Sequence, residues 1–251
     1  MLTFRDVTFQ YPNTTVPVLE GISFSIEQGS FTAVIGSSGS GKSTLLRLLN
    51  GLEHPQIGSI ELDGRNIDSM QNYASYMPQQ DLLFPWLSIL ENVMLPMTIR
   101  KVPKETRKEQ GMLALRQAGL EDWAQRKPSE LSGGMRQRAA FARTLCAGTD
   151  LLLLDEPFSA LDAITRLEMQ EWLRSQWQQL GKTILFITHD VDEALFLAQK
   201  ILVLKGTPVC RVNAFPVPAG DAANLKQQLL EQLRPVSEKS PKTVESQRME
   251  S

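Results

Sequence analysis

The chain has 251 residues, of which 42% are hydrophobic and 22% charged, with a formal net charge of -2. That composition is an ordinary soluble globular one, and the length allows one large domain or two small ones. The charge leaves no electrostatic footprint for nucleic acid, and no apolar run approaches the ~18 residues needed to span a bilayer.

Cys146 and Cys210 have no metal-ligand spacing and form no framework, so they read as small apolar residues in a reducing compartment. Met1 runs straight into an alternating strand pattern, and no signal peptide is expected there. A chain of this kind that works at a membrane must dock onto something that spans it.

Residues 1–35 read as strands. Leu2, Phe4 and Val7, then Val18, Ile22, Phe24 and Ile26, supply apolar positions partly in alternation, with turns at Pro12-Asn13 and Gln28-Gly29. Tyr11 ends the first strand pattern, where an aromatic at a sheet edge is ordinary. The apolar residues 31–35 then lead through Gly36, Ser37, Ser38, Gly39, Ser40, Gly41, Lys42, Ser43 and Thr44 into an apolar run at 45–49. The order is strand, glycine-rich loop, helix, and it fits the phosphate-cradling pattern G-x-x-x-x-G-K-[ST] at every fixed position. Gly36, Gly39 and Gly41 let the backbone curl until successive N–H groups point at one anion, and the helix adds its N-terminal partial charge. Lys42 is placed to reach the β- and γ-phosphates, and the Ser43 hydroxyl to ligate Mg²⁺. The helix is expected to stop at Asn50-Gly51, and residues 58–64 read as a short strand and turn.

The texture changes after Pro78-Gln79. From Leu82 to about Ala147 the pattern is mainly helical, strongest over 104–119, and punctuated by Pro85, Pro96, Pro103 and Pro128. This predicts a helical subdomain, 80–150, inserted into an α/β core formed by 1–79 and 151–215. The core resumes at residues 151–154, four leucines with polar flanks that suit a strand buried on both faces of a parallel sheet. A helix over 163–180 follows, capped by Gly181, then a buried strand over 183–187, a short helix over 191–198 and a strand over 201–204. Such alternation predicts a mostly parallel α/β sheet. Residues 216–251 form the remainder, with an amphipathic helix over 222–233 and a polar tail from Pro235 that is expected to be disordered.

Ligands of open parallel sheets bind outside the carboxyl ends of the strands. Three polar sites fall at such ends: the glycine loop, Asp155-Glu156 after 151–154, and Thr188-His189 after 184–187. If the three strands share one sheet, these groups meet around the γ-phosphate. Asp155 is suited to holding Mg²⁺, Glu156 to polarising an attacking water, and His189 to hydrogen-bonding the γ-phosphate and that water. Taken singly, an Asp-Glu pair is more often a solvated turn, and a strand-end histidine is more often structural. Gln79 has an amide able to reach Mg²⁺ or the water, and it stands where the core hands over to the insertion. It can therefore couple the γ-phosphate to movement of the insertion.

Leu131, Ser132, Gly133, Gly134 and Met135 open a helix pattern that runs to about residue 147. Ser132 can cap that helix, which makes a second N-terminus prepared for an anion. No lysine follows, so the stretch is half a site; a plain Ser-Gly-Gly turn is the bland reading. Its place in the insertion separates it from Lys42 of the same chain. The simplest completion is a second copy arranged head to tail, with each nucleotide held by one chain's Lys42 loop and the other's Ser132-Gly133-Gly134.

Over about residues 2–205 the chain resembles the ATP-binding subunit of an ABC transporter. The resemblance rests on an ordered set: Tyr11 at the adenine-stacking position, the Walker A loop 36–43, the Q-loop Gln79, and the signature 131–135 with Arg136-Gln137-Arg138. Walker B at 151–155, the catalytic glutamate Glu156, the D-loop Ser159, Ala160, Leu161 and Asp162, and the switch histidine His189 complete it. It implies a P-loop NTPase core with an N-terminal antiparallel β region and an inserted helical subdomain, with ATP and Mg²⁺ as cofactors. It also implies an ATP-sandwich homodimer whose closure on ATP and reopening after hydrolysis drive membrane permease subunits from the cytoplasmic face. Residues 80–93 look like the importer subgroup serving nitrate, sulfonates, taurine and thiamine-precursor pyrimidines, in which a solute-binding protein takes part indirectly. Leu83, Phe84 and Trp86 are expected either to receive a coupling helix of the permease, in the helix-in-groove mode, or to pack the insertion's own core. Gln199-Lys200 departs from the Asp-Arg that many relatives carry, which touches only local salt-bridging. Three other readings compete. One is a soluble ABC ATPase acting in DNA repair, translation or cluster assembly; repair members would need a long coiled-coil insertion and translation members usually carry two cassettes, and neither is present. An exporter ATPase shares the chemistry and differs in its partner. A small-molecule P-loop kinase has no use for the 131–135 stretch.

Overall fold

The computed structural model describes residues 1–37, 39–220 and 222–233. Ser38 of the glycine loop and the tail expected to be disordered lie outside the described residues. The chain opens with β1 (Leu2–Phe9), β2 (Leu19–Ile26) and β3 (Phe31–Ile35), followed by helix α1 (Lys42–Leu49). Next come β4 (Ile57–Leu62), β5 (Arg65–Asn66) and β6 (Ala74–Met77). Three helices, α2 (Ile89–Ile99), α3 (Lys104–Gln117) and α4 (Gly133–Cys146), separate β6 from β7 (Leu151–Asp155). The chain continues as α5 (Ala163–Leu180), β8 (Thr183–Ile187), α6 (Val191–Leu197), β9 (Lys200–Gly206), β10 (Val209–Pro216) and α7 (Ala223–Leu233).

These strands join one sheet in the order β5-β4-β1-β2-β10-β9-β3-β8-β7-β6. β6, β7, β8, β3 and β9 run parallel, while β1 pairs antiparallel with β2 and β4. β3 and β8 are buried at every residue, which requires cover on both faces. Successive strand residues point to opposite faces, and two apolar clusters meet them. On one face Val34, Leu153 and Leu185 pack with Leu45, Leu46 and Leu49 of α1. On the other, Ala33, Leu154 and Phe186 pack with Val93 of α2, Leu115 of α3, Phe141 of α4 and Leu173 of α5. The apolar core of the helical insertion is thus continuous with that of the sheet. Leu225 and Leu229 of α7 join the same cluster, so this helix packs onto the core.

Helix ends follow local chemistry. α2 starts at a capping box in which Ser88 Oγ accepts from Glu91 N and Glu91 Oε2 accepts from Ser88 N. α5 starts at Asp162, whose side chain accepts from Thr165 N, and stops at Gly181 with φ 63°.

Three differences from expectation stand out. β10 has no counterpart in the sequence reading, because Val209 is its only buried residue and polar Arg211 and Asn213 interrupt the pattern. Cys210 is exposed, so the small-apolar reading applies to Cys146 alone, whose thiol burial pushes up to about 11. Lys200 pairs with Glu27 at 2.9 Å, so a local ion pair forms at the position that departs from the family pattern.

Candidate active site

The parallel register builds the site. Val34 of β3 pairs with Ile187 of β8, and Ile187 pairs with Asp155 of β7. The three chain segments that follow therefore leave the sheet side by side at one edge. Val18, Gly39, Ser40, Gly41, Lys42, Ser43, Thr44, Glu156 and His189 line a cleft of about 530 Å³ at this edge. The glycine loop, Glu156 and His189 converge on this cleft, while Asp155 lies outside its lining and acts on it through its charge on Lys42.

The loop is shaped for an anion. Gly41 adopts φ 78°, and a Cβ there would press on Val18 and Leu19 at 3.1 Å, so both conformation and space require glycine. α1 has no side-chain cap, which leaves its first N–H groups free to meet a phosphate. Lys42 Nζ donates to the carbonyls of Gly36 at 2.8 Å and Ser37 at 2.9 Å, at the centre of the curl. Burial lowers the Lys42 pKa, and the carboxylates of Glu156 and Asp155 oppose that shift. In the same loop Ser40 Oγ is buried and has no hydrogen-bond partner among the described residues. A half-buried cation, free N–H groups and an orphaned hydroxyl fit a phosphate chain.

Glu156 has φ 44°, in a region that costs a non-glycine residue about 1–3 kcal/mol. Its N–H donates to Ile187 O at 2.9 Å, and its carbonyl accepts from Ser159 Oγ at 3.0 Å. The side chain is held as firmly. Glu156 Oε2 lies 3.1 Å from His189 Nδ1 and accepts from Gln79 Nε2 at 3.4 Å. Gln79 Nε2 also donates to Ser159 Oγ at 3.1 Å, so Gln79, Glu156, Ser159 and His189 form one polar group.

Asp155 stands beside it. Burial raises its pKa, while the hydrogen bond from Tyr76 Oη to Oδ2, at 3.0 Å, lowers it. Among the described residues no cluster of three or more His, Cys, Asp and Glu is arranged for a metal. Asp155 offers a carboxylate and Ser43 a hydroxyl, the ligand types that suit Mg²⁺ when phosphates supply further oxygens.

Tyr11 reaches the site indirectly. Its hydroxyl shares a hydrogen bond with Thr44 Oγ1 at 3.2 Å, and its ring meets Phe9 edge-on at 4.9 Å. The 131–135 stretch does not reach the Lys42 cleft. Ser132 Oγ caps α4 by accepting from Met135 N at 3.3 Å. Gly133 lines a neighbouring cleft of about 400 Å³ together with Gln79, Ala160 and Leu161. A Cβ on Gly134 would lie 2.5 Å from Thr165 Cγ2, so only glycine lets α4 approach α5 this closely.

Leu83, Phe84 and Trp86 do not form one exposed patch. Leu83 is 8% exposed and joins the core, whereas Phe84 and Trp86 are 37% and 68% exposed. The cause is Asn92, fully buried, which accepts from Phe84 N at 2.7 Å and donates to Phe84 O at 3.1 Å. That clamp turns Leu83 inward and leaves Phe84 and Trp86 outside, ring centroids 5.2 Å apart. Sequence reasoning also passed over Val18 in the cleft wall and Tyr76 on Asp155. Tyr76 becomes visible only once β6 is known to lie beside β7.

Comparison with known proteins agrees with this geometry. The family described as ABC transporter matches residues 19–159. The chain is 42% identical over 218 residues to the formylaminopyrimidine import ATP-binding protein ThiZ of Halalkalibacterium halodurans, covering 87% of this chain and 85% of that one. It is 42% identical over 211 residues to the taurine import ATP-binding protein TauB of Pseudomonas aeruginosa, covering 84% and 80%. Among solved structures it is similar to the dimeric, post-hydrolysis state of the ATP-binding cassette MJ0796 bound to ADP and Pi. That likeness has a TM-score of 0.74 and 30% identity, and covers 88% of this chain and all of that one. The chain belongs to the ABC transporter family, as one of its ATP-binding and ATP-hydrolysing subunits.

Proposed function

We propose that this chain energises the import of a small solute through separate membrane permease subunits, docked at the cytoplasmic face of the membrane. It works as a head-to-tail homodimer in which each ATP lies between the Lys42 loop of one copy and Leu131, Ser132, Gly133, Gly134 and Met135 of the other. The observation that carries the reading is the register of Val34, Ile187 and Asp155, which gathers the phosphate loop, Glu156 and His189 at one sheet edge. The names of the relatives at about 40% identity support import. The division of the chain into an α/β core, 1–79 and 151–215, and a mobile helical unit, 80–150, belongs to this proposal.

In this proposal the residues take the following roles. Tyr11 stacks on the base. Gly36, Ser37, Ser38, Gly39, Ser40, Gly41 and Thr44 surround the phosphates, and Lys42 exchanges its carbonyl contacts for β- and γ-phosphate oxygens. Ser43, Asp155 and Gln79 hold Mg²⁺, which when bound neutralises charge on the phosphates. Glu156 takes a proton from the water whose oxygen bonds to the γ-phosphorus, as the bond to the bridging oxygen breaks. His189 donates to the γ-phosphate and fixes Glu156. The D-loop residues Ser159, Ala160, Leu161 and Asp162 sit between this group and the 131–135 stretch. Gln79 ties the γ-phosphate to the loop that presents Phe84 and Trp86 to the permease, while a solute-binding protein delivers the solute on the far side.

The test is to copurify the membrane partner and measure ATP turnover in the assembled complex with candidate solutes and their binding proteins. Stimulation by a solute offered from the outer side supports import. Stimulation only by a solute offered from the nucleotide side would replace it with export.

A further inference from the structure

Behind His189 lies a charge pair, a buried carboxylate and a half-buried guanidinium, that none of the roles above uses. Glu193 of α6 is 6% exposed, and Thr188, the residue before His189, is 1% exposed. Thr188 Oγ1 donates to Glu193 Oε2 at 2.6 Å and accepts from Asp190 N at 3.0 Å. The turn that carries His189 is thus bound to Glu193 at its base. Glu193 Oε1 faces Arg166 Nε of α5 at 3.8 Å, an ion-pair distance without a hydrogen bond. Among the described residues Arg166 Nε, which is buried, has no hydrogen-bond partner. The same guanidinium donates from Nη2 to Leu161 O in the D-loop at 3.0 Å. Leu161 in turn packs against Gly133, where a Cβ would lie 3.4 Å from Leu161 Cδ2.

We propose that Arg166 and Glu193 are positioning residues that tie the 159–162 loop to the His189 turn, so that the seat of that loop sets the placement of His189 on Glu156. The physical argument is satisfaction. A buried carboxylate and a buried guanidinium Nε at 3.8 Å attract without completing a hydrogen bond, so a small shift of the loop changes their interaction steeply. Burial raises the Glu193 pKa, and the Thr188 hydrogen bond and the Arg166 charge oppose that shift. A movement of the loop at the 131–135 cleft reaches His189 through Arg166, Glu193 and Thr188. The inference rests on the catalytic roles proposed above for Glu156 and His189.

The test is a double-mutant cycle in the full chain, read as maximal ATP turnover and half-saturating ATP. Glu193→Gln keeps the shape and the Thr188 contact and removes the charge. Glu193→Gln and Arg166→Gln are each expected to lower maximal turnover about tenfold, below the roughly hundredfold cost of a 1 Å misplacement at a reacting centre. Half-saturating ATP should stay within about twofold, and the double variant should fall no further than the worse single one, since coupled residues are not additive. Arg166→Lys keeps the charge but offers one ammonium where the guanidinium spans Leu161 O and Glu193, so it should recover turnover only in part, to a level between Arg166→Gln and wild type. If Arg166→Gln does not fold, Glu193→Gln and Arg166→Lys carry the cycle alone. Wild-type turnover in Glu193→Gln, losses that multiply in the double variant, or a change confined to half-saturating ATP would each overturn the proposal. His189→Ala separates it from the reading beneath it. An inactive His189→Ala beside an active Glu193→Gln removes only the coupling, whereas an active His189→Ala removes the catalytic role as well.

Discussion

At the scale of single residues, the site is organised on Glu156. Its left-handed backbone, the clamp to Ile187 O and the shared contacts with His189 and Gln79 all fix one carboxylate beside the phosphate loop. Glu156→Gln keeps that geometry and removes the proposed base. Turnover should drop by at least about a hundredfold while ATP binding persists, because a positioned general base contributes typically 10²–10⁴-fold. Single-turnover hydrolysis measured beside equilibrium ATP binding checks this, and normal turnover would remove Glu156 from the role. Tyr76 is a second point of control, since its hydroxyl holds Oδ2 of Asp155. Tyr76→Phe should weaken Mg²⁺-dependent ATP binding more than metal-free binding, read by titration with and without Mg²⁺. Equal effects would leave Tyr76 without influence on the metal. Glu156, His189 and Lys42 were legible because each follows a recognisable strand or loop pattern. Tyr76 was not, because it lies 79 positions from Asp155 and meets it only through sheet order.

At the scale of elements, two joints connect the insertion to the site. The first is the packing of α4 on α5 at Gly134. Gly134→Val would overfill it, at about 1–3 kcal/mol, and should cost thermal stability and turnover together while leaving Lys42-loop ATP binding in place. Thermal melting beside nucleotide binding is the check, and a stable, fully active variant would contradict the close approach. The second joint is the segment after β6. Arg136 Nε pairs with Asp81 at 3.0 Å, and Arg143 donates to the carbonyls of Asp81 and Leu82, which pins that segment to α4. Phe84 and Trp86 project from it. Trp86→Ala is expected to weaken permease-coupled turnover several-fold and leave the basal rate of the isolated chain unchanged. Equal losses in both would assign Trp86 to packing. α5 and β8 were readable to the residue, since an aspartate and a glycine bound the helix and the strand is an unbroken apolar run. The split between Leu83 and its aromatic neighbours was not readable, because Asn92, eight residues beyond Phe84, decides it.

At the scale of the whole molecule, the two anion-ready helix starts face different clefts. Residues 39–44 line one, and Gly133 lines the other beside Gln79 and Leu161. Chain order separates them, and in the fold they line different clefts, which is what the proposed shared site requires. Among the described residues no helix is long and apolar enough to cross a membrane. The central claim is that the working site is shared between two chains, and a mixing experiment addresses it. Lys42→Ala and Ser132→Arg should each be inactive alone. In a head-to-tail dimer, mixing them builds one intact site from the Ser132→Arg chain's Lys42 loop and the Lys42→Ala chain's 131–135 stretch. The account predicts that an equimolar mixture recovers ATP turnover, up to about a quarter of the wild-type rate if dimers form at random. A mixture no more active than its separate components, at every ratio, would contradict it.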